Sequence, residues 1–171
     1  MKKILSIILL SVLTLGLFSC GGSGESTEKE KPLTSDQIVQ KLKDDYSLPI
    51  TQELTYTEET DGNGLLGRPD QYTSKTSWND ENDVDEVQMC NDYPDDDYRD
   101  CTVEVFENKS DARERQEYIE SVWEDGGLLH QDQYIYRAGT ALLRVTYQIT
   151  PDQAAAYEKA FYEIMGVDSG K

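Results

Sequence analysis

Between residue 33 and the last few positions, apolar side chains recur in two rhythms. Three stretches carry the helical period and five carry strict alternation. The first helical stretch opens at Leu33-Thr34-Ser35-Asp36-Gln37-Ile38. Thr34 as N-cap and Gln37 at N3 form a capping box, with Leu33 and Ile38 at the staple positions. Ile38, Val39, Leu42 and Tyr46 then form one apolar stripe, and Pro49 stops it. A second helix is predicted from Ser110 or Asp111, with Ala112, Ile119, Val122 and Trp123 on one side and Gly126-Gly127 at its end. The third has the fullest signature. Thr150 caps, Pro151 takes the first helical position, Gln153 closes the box and Gly166 ends the run, while Tyr157, Ala160, Phe161 and Ile164 share a face. The capping box alone accounts for most of the likeness between Leu33-Thr-Ser-Asp-Gln and Ile149-Thr-Pro-Asp-Gln, so no internal repeat is read from it.

Alternation predicts strands over 52–58, 71–78 and 101–106. It also predicts a hairpin of 133–137 and 141–148 turning at Ala138-Gly139-Thr140, with Leu143, Val145 and Tyr147 facing inward. The order α-β-β-β-α-β-β-α implies an α+β fold: an antiparallel sheet of about five strands with three helices mainly on one face.

The first twenty residues follow neither rhythm. Lys2 and Lys3 precede an apolar run from Ile4 to Phe18. A bilayer-spanning helix needs about 20 such residues, so the run suits the apolar core of a secretory signal better. It ends in Leu17-Phe18-Ser19-Cys20. This segment resembles the lipobox of bacterial lipoproteins, with Leu17 at −3, Ser19 at −1 and Cys20 as the modified residue. The resemblance implies diacylglycerol transfer to the Cys20 thiol and cleavage before it. Residues 1–19 are then a signal peptide, 20–32 a lipidated cysteine with a flexible Gly/Ser/Thr/Glu/Lys tether, and 33–171 a single domain. The protein is expected at the cell membrane or outer membrane, lipid-anchored and facing away from the cytoplasm. The globular part likewise resembles the small lipoproteins of bacteria.

Charge narrows the function. The 171-residue chain carries 34 acidic and 16 basic side chains, a formal charge of −18, and loss of Lys2 and Lys3 makes it more negative still. Such a surface repels phosphate backbones, so nucleic acid is not an expected partner. It also repels anionic headgroups, so the domain should stand off the membrane that its lipid enters.

Ten carboxylates lie between Asp80 and Asp100, against Arg99 alone. This stretch reads as an exposed acidic loop. Asp92, Asp95, Asp96 and Asp97 are its candidate partner-binding residues. Calcium is a candidate ligand, because hard cations want several oxygens, but no window fits an EF-hand loop and no metal ligands are assigned. Cys90 and Cys101 flank the densest part and are expected to form a disulfide in an oxidising compartment. Tyr134 and Tyr136 share one strand face and are the second candidate contact, since tyrosine is rigid and amphipathic. Leu65-Leu66, between Gly64 and Gly67, reads either as a buried plug or as an exposed apolar contact.

For catalysis little is on offer. His130 is the only histidine, and there is no G-x-S-x-G, Walker A or H-E-x-x-H motif. Arg113, Arg115, Arg137 and Arg144 balance carboxylates. No catalytic residue and no cofactor are assigned. The expected function is that of a lipid-anchored, monomeric, extracytoplasmic interaction protein without catalytic activity, whose partner is a protein of the cell envelope. An inhibitor or immunity protein using its acidic surface is one form of this. The alternative is a lipoprotein that binds calcium or a small ligand.

Overall fold

The computed structural model describes residues 32–124 and 133–168. Cys20, the signal segment, the Gly126-Gly127 stop and His130 lie outside the described residues. In chain order the elements are α1 (Ser35–Asp44), β1 (Ile50–Thr55), β2 (Tyr72–Asp80), α2 (Val84–Asp92), β3 (Cys101–Phe106), α3 (Lys109–Glu124), β4 (Gln133–Ala138), β5 (Ala141–Thr146) and α4 (Pro151–Ile164). The fold is α+β, with one antiparallel five-stranded sheet in the order β1-β2-β3-β5-β4.

The caps act as the sequence implies. Gln37 Oε1 accepts from Thr34 N at 3.0 Å. At α4, Thr150 N donates to Gln153 Oε1 at 2.8 Å and Gln153 N to Thr150 Oγ1 at 3.3 Å. These bonds use donors that a helix start otherwise leaves without partners.

Alternation along the strands splits the core in two. Trp78, Cys101, Val103, Leu143 and Val145 face α1 and α4, where Ile38, Leu42, Tyr157 and Phe161 complete the larger cluster. Trp78 stacks on Tyr157, with ring centroids 6.2 Å apart, and the Tyr157 hydroxyl donates to buried Asp80 Oδ2 at 2.8 Å. The other face holds a smaller cluster of Tyr72, Phe106 and Leu142 with Ala112 and Ile119 of α3. The helices are therefore divided, with α1 and α4 on one face and α3 on the opposite one.

Three further differences from the sequence reading have physical causes. Residues 80–92 are not all loop, because α2 forms there. Asp83 caps it by accepting from Glu86 N at 3.3 Å, and Asp85 and Glu86 lie in its first turn, where the helix dipole favours anions. Strand β5 ends at Thr146, so Tyr147 is 46% exposed rather than inward. Strand β1 begins at Ile50 and ends at Thr55. A bulge between Thr51 and Leu54, with Gln52 at φ 54°, breaks its alternation.

Cys90 and Cys101 are both free, buried thiols. Cys101 pairs across the sheet with Trp78 and so faces α1 and α4. Cys90 lies against the next residue of β2, accepting from Asn79 Nδ2 at 3.2 Å. Trp78 and Asn79 point to opposite faces, so the sheet stands between the two thiols.

Candidate functional site

Two buried charge clusters organise the face that α3 covers. The first is centred on Asp61, in the segment between β1 and β2. Its carboxylate accepts from Leu65 N at 2.9 Å, Leu66 N at 3.1 Å, the Tyr72 hydroxyl at 2.6 Å and Lys75 Nζ at 3.0 Å. Burial alone would raise its pKa. The donors overcome that and hold it well below the usual carboxylate range. Lys75 Nζ also sits 4.1 Å above the Tyr56 ring. Gly67 is needed in the same segment, because its φ of 76° lies in the left-handed region that strains a residue with a Cβ. Leu65 and Leu66 are partly buried against the smaller core cluster, and Leu65 also lines the groove described below, so the pair is both packing and surface.

The second cluster is centred on Glu104 of β3, which is fully buried. Arg115 of α3 grips it through Nε and Nη2, both at 3.1 Å, and Arg144 of β5 reaches it at 3.5 Å. Two guanidiniums on one buried carboxylate compensate the cost of removing it from water. Arg115 also lies 5.9 Å from the Tyr72 ring centroid and 5.7 Å from that of Tyr118, joining α3 to β2.

Between these two fixed parts runs a groove of about 660 Å³. One wall is the 61–71 segment, with Asn63, Leu65 and Asp70. The other is α3, with Asp111, Glu114, Arg115, Tyr118, Ile119 and Val122. Tyr118 and Val122, one turn apart on α3, are 60% and 52% exposed and give this wall its apolar surface.

The residues singled out in the sequence lie elsewhere and apart. Asp92, Asp95 and Asp96 are exposed at the end of α2 and in the turn after it. Asp97 is partly engaged, accepting from the Tyr56 hydroxyl and from Arg99. All four lie toward the β1 edge of the sheet. Tyr134 and Tyr136 lie on β4, the opposite edge, half-buried against the larger core cluster. The Tyr136 hydroxyl donates to Ala154 O at 3.3 Å, and burial pushes its pKa up to about 12. The tyrosine pair is thus a packing element, because its strand face meets α4, and it forms no single surface with the aspartates. Among the described residues, no three His, Cys, Asp or Glu side chains are grouped to hold a metal ion. No helix among them is long and apolar enough to cross a membrane.

The groove itself was not read from the sequence. Its one available signal was Leu65-Leu66 held between two glycines. Comparison with family models, curated proteins and solved structures finds no match for this chain.

Proposed function

We propose that this protein is a lipid-anchored, extracytoplasmic interaction module that acts by binding a protein of the cell envelope and performs no catalysis. The observation that carries the reading is the groove, open and part apolar, set between walls that are fixed by internal charge pairs. Preorganised walls lower the ordering cost of association. The buried ionisable groups beside it support the non-catalytic part. Asp61 and Lys75 hold the 61–71 segment, and Glu104 with Arg115 holds α3, so each is engaged in keeping the fold. Exposed Asp92, Asp95 and Asp96 add an anionic surface that steers a basic partner and makes its association fast and salt-sensitive. The anchor rests on the lipobox resemblance at Cys20.

The test is cross-linking of the protein on intact cells. A recurrent, near-stoichiometric envelope protein, captured less at high salt, is the expected result, and the absence of any recurrent partner would overturn the reading. Replacement of Cys20 by Ser checks the anchor separately, since the protein should then leave the membrane fraction and take up no labelled fatty acid.

A further inference from the structure

We infer that the groove between the 61–71 segment and α3 is the docking site itself, and that its occupant is a peptide segment of a protein partner that carries lysine or arginine beside apolar side chains. This deepens the function proposed above and rests on it.

The volume of about 660 Å³ suits a few side chains rather than a flat protein face. Leu65, Val122 and the Tyr118 ring offer apolar contact, above buried Ile119 at the base. Asp70 and Glu114 bring two exposed carboxylates to the same groove, beside buried Asp111, which already accepts from Asn108 Nδ2 at 2.8 Å. Among the described residues the one cation lining it, Arg115, is already paired with buried Glu104. A guest must therefore supply positive charge next to apolar surface. That chemistry excludes the neighbouring possibilities. A second copy would bring another chain of charge −18 against the same carboxylates. Anionic headgroups would be repelled, and a wholly polar cation would leave Tyr118 and Val122 uncovered. The walls are already set. Asp61 holds one through two backbone N–H groups, and Arg115 holds the other through a two-pronged bond, so a guest need not order them.

The experiment titrates the mature full-length protein in phosphatidylcholine nanodiscs with three capped, labelled octapeptides, read by fluorescence anisotropy. The first alternates arginine with leucine, the second replaces arginine by glutamate, and the third replaces leucine by serine. Saturable 1:1 binding of the first alone is expected, weakening about tenfold between 50 and 500 mM salt. Glu114→Gln with Val122→Ser should weaken it a further roughly tenfold, because both positions lie in the groove wall and such surface changes leave the fold intact. Asp70→Asn is a second variant, since asparagine tolerates the φ of 61° found there. Neutralising Asp92, Asp95 and Asp96 together should slow association but leave the off-rate unchanged.

Equal binding of the glutamate peptide, full affinity in the groove variants, or self-association that the groove variants abolish would each overturn the proposal. If a partner is captured on cells equally well by the groove variants, the groove falls and the interaction reading stands. If no partner is captured at all, the interaction reading falls, while the peptide titration still decides what the groove binds.

Discussion

Asp61 shows how much one buried carboxylate can organise. It draws two backbone amides, a tyrosine hydroxyl and a lysine to one point, and so fixes a segment with no regular structure against the sheet. Its pKa is depressed in the fold, so its stabilisation is present above the usual carboxylate range and lost as pH falls below about 4. Asp61→Asn keeps the shape but removes the charge and strands Lys75, whose side chain is 9% exposed. A loss of about 3 kcal/mol is expected, read as a lower urea midpoint. Nothing in the sequence separates Asp61 from the other acidic residues, because its partners Leu65, Tyr72 and Lys75 converge only through folding. Glu104 was equally hidden. In the alternating run Cys101–Phe106 it looks like the solvent-facing member, and it is buried only because Arg115 and Arg144 reach it from two other elements.

At the scale of elements, the capped helices were legible because their signals are local. Thr34 with Gln37, and Thr150 with Pro151 and Gln153, fix the starts of α1 and α4 without help from the rest of the chain. The hairpin of β4 and β5 was legible for the same reason, with Gly139 at φ 60° in its turn. Helix α2 was not. Val84 is 68% exposed and Cys90 is its one buried residue, so it carries almost no apolar stripe to recognise. It is seated instead by polar contacts, among them Thr146 Oγ1 to Asp83 Oδ2 at 3.1 Å and Gln52 Nε2 to Val87 O at 3.2 Å. Which face of the sheet each helix covers was also out of reach, since period alone does not say how a crossover turns. The seating of α2 has a pH signature. Asp100 immediately precedes β3, and burial, reinforced by the Asp83 and Glu86 charges, pushes its pKa up to about 6. The folded state then binds a proton that the unfolded chain releases between about 4 and 6, so this group destabilises the fold as pH rises through that window. Thermal unfolding should show Tm increasing as pH falls from 7 toward 5, and the increase should shrink in Asp100→Asn.

For the whole molecule, a charge of −18 works in the same direction, because protonating surface carboxylates relieves self-repulsion until Asp61 begins to titrate. The same excess of charge leaves the two core clusters to carry cohesion, one on each face of the sheet. That two-sided arrangement makes the pair of free cysteines a timing device. Cys101 sits in the central strand and its thiol, pushed up by burial, is reached only when the sheet comes apart. Cys90 rides on the polar-seated α2, so lifting of that helix alone would be enough to reach it. In a thiol-exchange experiment without reductant, both cysteines should react once the protein is unfolded, where a bridged pair would give no reaction. Under native conditions Cys90 should be modified first, at a rate nearly flat in dilute urea, while Cys101 follows the steep urea dependence of global unfolding. Two separate clocks would mean that α2 opens on its own account, and a single shared rate would mean that helix and sheet open as one cooperative unit.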